Sequence, residues 1–219
     1  IIVGARTTVS DLLRSPDLAE WCPSLIDAAK QFAGQMVRNT ATVGGNIACA
    51  SPAADLVPPL LSLDAELTLA STSGIRTVAL ADYYQGYKQD IRLADEIITQ
   101  ISWTRPPRNS VNAFHKLARR RGDAITVTGV AISLGISRGK CVGARIALGS
   151  VAPSVIRARK SELMLEQQVL SQALIEDAAQ QVAEECNPID DVRASADYRR
   201  HTVQMLTRRL VSQAWSRLV

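Results

Sequence analysis

Apolar positions along this 219-residue chain change period several times, and each change marks an element. Leu25, Ile26, Ala29 and Phe32 recur at helical spacing. Ser24, with Asp27 three residues on, has the form of a capping box that starts this helix, and Gly34 ends it. Leu56 to Leu61 is a continuous apolar run leading into the alternating strand Ala65 to Leu69. Ser71 to Gly74 then turns the chain into a second strand, Ile75 to Val78. Trp103 to Ser110, with Pro106-Pro107 at its centre, interrupts both helices and ladders and sets a domain boundary: 1–105 and 106–219.

Beyond that boundary, Ile125 and Val127 have one parity, while Val130, Ile132, Leu134 and Ile136 have the other. A bulge at Gly129 would keep both sets facing the core. Ser137 to Lys140 reads as a turn, and Val142, Ala144, Ile146 and Leu148 alternate along a partner strand. Ser171 caps a helix that runs to about Cys186 on Leu174, Ile175, Ala178 and Val182. A last helix follows Ser195 on Tyr198, Val203, Leu206 and Leu210. The whole is an α+β pattern, with helices covering one face of an antiparallel sheet.

Composition narrows the function. At 47% hydrophobic residues the chain can build a substantial core, and no apolar run approaches the ~20 residues that span a bilayer. A cytoplasmic location follows as an expectation. Cys22, Cys49, Cys141 and Cys186 are widely spaced, as are His115 and His201, so no zinc or iron–sulfur motif emerges. The net charge of +4 is mild, aromatic residues make up 4%, and no nucleic-acid module is evident, so nucleic-acid binding is not expected.

Candidate chemistry concentrates between Asn39 and Asp55. Gly44-Gly45 removes side chains from a turn and permits positive φ, so that successive N–H groups can converge on an anion. Thr42 and Asn46 flank it with neutral hydrogen-bonding groups, and Asp55 offers a carboxylate to ribose hydroxyls. Such a set suits a cofactor with a pyrophosphate and a ribose. Taken by itself, a diglycine between polar residues is more often a plain turn. No strand-linked GxGxxG occurs, which argues against a Rossmann domain.

The run RNTATVGGNIACASPAADLVPPLLSLDAELTL resembles the FAD-binding medium subunit of the molybdenum hydroxylases, the family of xanthine dehydrogenase and carbon monoxide dehydrogenase. The resemblance continues through 82–101, FHKLARRRGDAI at 114–125, 144–158 and 194–210. It implies a vanillyl-alcohol-oxidase-like (PCMH-type) FAD-binding domain, followed by the antiparallel sheet with its helices. The chain begins at Ile1 rather than Met, and an AGGTDLL-type glycine loop that supplies part of the family's pyrophosphate site is absent, so the N-terminal part of that domain is expected to be missing.

The same resemblance implies FAD contacts from Phe32, Thr42, Val43, Gly44, Gly45, Asn46, Asp55, Ile98 and Lys116. It sets Phe32 against the adenine end and gives Arg120, Arg121 and Asp123 a part in tuning the reduction potential. By its own character the basic run around Arg120 is an ordinary solvated strand entry. Molybdopterin and 2Fe-2S clusters are expected only in a large and a small partner subunit, with NAD or another acceptor taking electrons from FAD. Such a subunit needs no catalytic acid or base of its own. Two alternatives stay open: an interaction subunit that has lost FAD, and a stand-alone flavin oxidoreductase of related fold.

Overall fold

A computed structural model describes residues 1–120 and 122–219. The chain runs β1 (Ile2–Gly4), α1 (Val9–Arg14), α2 (Pro16–Trp21), α3 (Pro23–Gln31), α4 (Gln35–Arg38), α5 (Val43–Ala48) and α6 (Val57–Ser62). There follow β2 (Glu66–Ser71), β3 (Gly74–Ala79), β4 (Tyr84–Gly86), β5 (Gln89–Asp90) and β6 (Ile97–Ser102). The second half holds β7 (Ser110–Ala118), β8 (Thr126–Ser137), β9 (Lys140–Gly149), β10 (Ile156–Arg157), α7 (Arg159–Leu165), α8 (Gln172–Glu184) and α9 (Ala196–Trp215).

Local chemistry accounts for many of these ends. Thr8 and Asp11 form a reciprocal capping box at α1. Ser171 and Ser195 cap α8 and α9 as their positions foretell, accepting from the N–H groups of Leu174 at 3.1 Å and Tyr198 at 3.2 Å. Ser24 does not cap α3. Pro23 occupies the first helical position, where its missing N–H and fixed φ cost nothing, and Ser24 is pulled inside the helix and fully buried. Phe32 accordingly ends α3 rather than extending its apolar face.

The first sheet is antiparallel in the order β1-β6-β2-β3, and the second in the order β10-β9-β8-β7. The parity change in β8 is absorbed at Val127, which has no partner between Leu117↔Thr128 and Ala118↔Thr126. The bulge is therefore not at Gly129. Gly129 instead pairs with Gly149, where an added Cβ would lie 3.2 Å from the Pro58 ring of α6.

Within the second half, α7, α8 and α9 cover one sheet face, meeting Val130, Ile132 and Leu134. The other face is not left to solvent. Phe114, Ala131 and Ala147 belong to the core of the first half, against which α3 and α6 pack. Asn112 seals this junction, accepting from Ser24 N–H and donating to the Trp21 carbonyl, each at 3.0 Å. No helix is long and apolar enough to cross a membrane among the described residues.

Candidate functional site

A cleft of about 800 Å³ opens along this junction. Phe32, Ser51 to Ala53 and Asp55 line it from the first half, with Tyr87 at the β4–β5 hairpin. Residues of the second half, including Asp123, Ile125, Ser150, Pro188 and Arg199, complete it.

Phe32 is fixed by the reversal after α3. Ala33 takes φ +34°, and Arg38 donates to the carbonyls of Phe32 at 2.9 Å and Ala33 at 2.5 Å. Gly34 follows without a side chain because Asp123 stands against it: an added Cβ would lie 3.1 Å from Asp123 Oδ1.

Asp55 is held from two sides. Lys116 Nζ donates to Asp55 Oδ2 at 2.6 Å and to the Gln31 carbonyl at 3.2 Å, while Thr126 Oγ1 donates to Asp55 Oδ1. Burial pushes the Asp55 carboxyl above its ordinary range, and Lys116 and then Thr126 pull it back. Lys116 is itself buried, so it stands behind Asp55 rather than on the open wall. Two of its three donors are already used.

The TVGGN segment has a different geometry from the anion-binding turn its glycines suggest. Thr42 caps α5 and Gly44-Gly45 forms that helix's first turn, with neither glycine at positive φ. The N–H groups are engaged: Val43 to Thr7 O at 3.0 Å, Gly44 to Ala5 O at 2.9 Å, Gly45 to Thr42 Oγ1 at 3.1 Å and Asn46 to Thr42 O at 2.9 Å. Gly44 is required by packing, because a Cβ there would meet the Ala5 Cβ at 2.6 Å, whereas Gly45 is exposed. Asn46 Oδ1 accepts from Leu56 N–H at 3.2 Å and so ties α5 to the residue after Asp55.

The predicted residues thus fall into two groups. Phe32, Asp55 and Lys116 come together at the cleft; Thr42 to Asn46 and Ile98 do not line it. Ile98 lies in β6 opposite Leu69, partly buried against the core. Asp123 reaches the cleft, and Arg120 donates to the Asp123 carbonyl at 2.8 Å. Arg121 lies outside the described residues.

The far wall was not foreseen. Arg199 is 2% exposed and donates to the carbonyls of Val127 at 2.6 Å and Ser150 at 3.0 Å and to Asp191 Oδ1 at 2.7 Å. Its Nε and the Ser150 hydroxyl are buried without a protein partner. A signal existed in the sequence: Arg199 stands four residues before Val203 and seven before Leu206, a charge on the apolar stripe of α9. Among the described residues, no three His, Cys, Asp or Glu side chains gather into a metal site.

Comparison with known proteins gives these features a context. Residues 1–103 match the family model of the FAD binding domain in molybdopterin dehydrogenase, and 112–214 that of the CO dehydrogenase flavoprotein C-terminal domain. The chain is 30% identical over 213 residues to the xanthine dehydrogenase FAD-binding subunit of Escherichia coli O157:H7, covering 97% of this chain and 73% of that protein. It is 30% identical over 217 residues to the carbon monoxide dehydrogenase medium chain of Hydrogenophaga pseudoflava, covering 99% and 75%. The solved carbon monoxide dehydrogenase of H. pseudoflava contains a chain that superposes with a TM-score of 0.95 at 30% identity, over 100% of this chain and 76% of that one. Quinoline 2-oxidoreductase of Pseudomonas putida 86 gives 0.89 at 29% identity, over 99% and 75%. The fold and both halves of the sequence agree: the chain belongs to the family of FAD-binding medium subunits of the molybdenum hydroxylases, and is a flavoprotein oxidoreductase subunit.

Proposed function

We propose that this chain binds FAD and passes electrons from an iron–sulfur partner through the flavin to NAD or another acceptor, within a complex whose large subunit carries molybdopterin. The cleft between Phe32 and Asp55, in a chain matched along nearly its whole length by flavoprotein families, carries this reading. Its volume of about 800 Å³ lies in the range that holds small-molecule cofactors, and its walls combine apolar surface with a few convergent polar groups. The orphaned Arg199 Nε and Ser150 Oγ are buried polar atoms for which a ligand would supply partners. FAD, when bound, stores two electrons and releases them to its acceptor.

In this reading Phe32 presents its ring to the cofactor, and Asp55 accepts hydrogen bonds from it through lone pairs that Lys116 and Thr126 leave free. Lys116 orients Asp55. Thr42, Val43, Gly44, Gly45 and Asn46, which lie outside the cleft lining, take the phosphate end in this reading, and Ile98 supports the flavin pocket from β6. Division of labour follows the boundary proposed at 1–105 and 106–219, the first part holding the cofactor and the second closing the cleft. A large subunit with molybdopterin and a small subunit with 2Fe-2S clusters are the proposed partners, and the cytoplasm the proposed location.

A second reading, a subunit that docks in the same complex without FAD, is favoured by the full engagement of the N–H groups of Val43, Gly44 and Gly45. Co-expression with the large and small subunits separates the two. Purified without added flavin, the complex is expected to release FAD on denaturation and to lose its flavin absorption when the large subunit's substrate is supplied. A folded complex free of flavin would support the second reading.

A further inference from the structure

A second groove of about 560 Å³ shares no lining residue with the cleft and lies between α2, α3, β7 and the end of α9. One wall is stiff and apolar, made by Trp21, Pro23, Pro106 and Pro107. The guanidinium groups of Arg105 and Arg108 lie 4.6 and 4.7 Å from the Trp21 ring centroid, and Asn112 anchors the Trp21 carbonyl.

The opposite wall is cationic. Arg209 and Gln213 stand one turn apart on α9, and Arg217 follows in the turn beyond it. The groove has two carboxylates, and each already faces a cation: Glu20 lies 3.7 Å from Arg108 and Asp27 lies 3.6 Å from Lys30. Arg209 and Arg217 form no ion pair among the described residues, which leaves two guanidinium groups without counter-charge beside an apolar wall. Between the walls sits half-buried His115, whose imidazole is lowered below its ordinary range first by burial and then by the charge of Arg209.

We propose that this groove docks an acidic, extended peptide segment of a partner protein, its carboxylates meeting Arg209 and Arg217 and its backbone lying along the Trp21–proline wall. Guanidinium groups suit this role because they grip carboxylates in a fork while resting on aromatic and apolar surface. A bare anion would leave the Trp21–proline wall unused.

His115 reports occupancy directly, since the chain's other histidine, His201, is exposed and lies outside the groove. A hexaglutamate peptide, with hexaglutamine as control, is titrated into the folded chain while both imidazoles are followed by NMR. Hexaglutamate is expected to shift His115 saturably and raise its pKa while His201 stays in place. Arg209→Gln with Arg217→Gln is expected to weaken binding by about ten-fold or more. Arg217→Gln alone, beyond the helix, serves if the double variant fails to fold. An unmoved His115, equal binding of hexaglutamine, the same shift from inorganic phosphate at matched ionic strength, or tighter binding of a DNA duplex would each overturn the proposal.

Discussion

Lys116 and Asp55, 61 residues apart in sequence, form a 2.6 Å ion pair with side chains only 4% and 10% exposed. Because Lys116 also holds the Gln31 carbonyl, next to Phe32, the pair sets the separation of two walls of the cleft. Removing one partner strands a buried charge, so Lys116→Met is expected to destabilise the fold by about 3–5 kcal/mol. Adding Asp55→Leu is expected to recover much of that loss. Urea denaturation of the single and double variants checks both statements, and an unchanged midpoint for Lys116→Met would contradict them.

Thr126 supplies the other restraint on Asp55 and is almost wholly buried. Thr126→Val leaves the largely buried Asp55 Oδ1 without its donor, at an expected cost of roughly 1–3 kcal/mol. Thr126→Ser keeps the donor and is expected to behave nearly as the wild type. Thermal unfolding of the two variants distinguishes a hydrogen-bond role from a purely steric one, for which Val would be the better substitute.

The two glycines of α5 have different duties. Gly44→Ala drives a methyl group to 2.6 Å from the Ala5 Cβ and 2.9 Å from the Ala5 carbonyl, an overpacking expected to cost about 1–3 kcal/mol. A Cβ at Gly45 meets only the Thr42 hydroxyl, at 3.0 Å. In the reading that sets α5 at the phosphate end, Gly45→Val is expected to abolish flavin retention at less cost to the fold than Gly44→Ala. Comparing flavin content and melting temperature across both variants checks the division, and a folded Gly45→Val complex with normal flavin would contradict it.

Glu96 contributes a pH dependence with a definite sign. Hydrogen bonding to the Arg76 guanidinium, and then to Leu93 N–H, holds its carboxyl at about 2, below the ordinary value of 4.5. A depressed folded value means that the contribution is fully present above pH 4.5 and is lost as pH falls towards about 2. Wild-type stability is expected to decline across that window more steeply than that of Glu96→Gln. Parallel slopes in urea melts at several acidic pH values would remove Glu96 from the account.

What could be read from sequence follows the range of the forces involved. Ser171 and Ser195 were legible because a cap acts within three residues. Ser24 misled because Pro23 competes for the same helix start, and the fixed φ of proline decides the contest. The bulge of β8 sits at Val127 rather than Gly129 because its position is set by how β8 registers against β7, which the apolar pattern of β8 alone does not fix. Phe32 and Asp55 stood out through the family pattern, but the binding of Lys116 to Asp55 arises only when the second half closes on the first, and the wall around Arg199 only when α9 folds back onto Val127 and Ser150. The diglycine drew attention for its backbone freedom, whereas Gly44 is used for close packing.

The central claim is that FAD is held at Phe32 and Asp55. Equilibrium titration of FAD into the folded chain, followed by quenching of flavin fluorescence and repeated with Asp55→Ala and Phe32→Ala, tests it most directly. Saturable quenching by the wild type, weakened about ten-fold or more in each variant, is the predicted result. A folded wild type that leaves flavin fluorescence unchanged, or variants that bind FAD as tightly as the wild type, would contradict it.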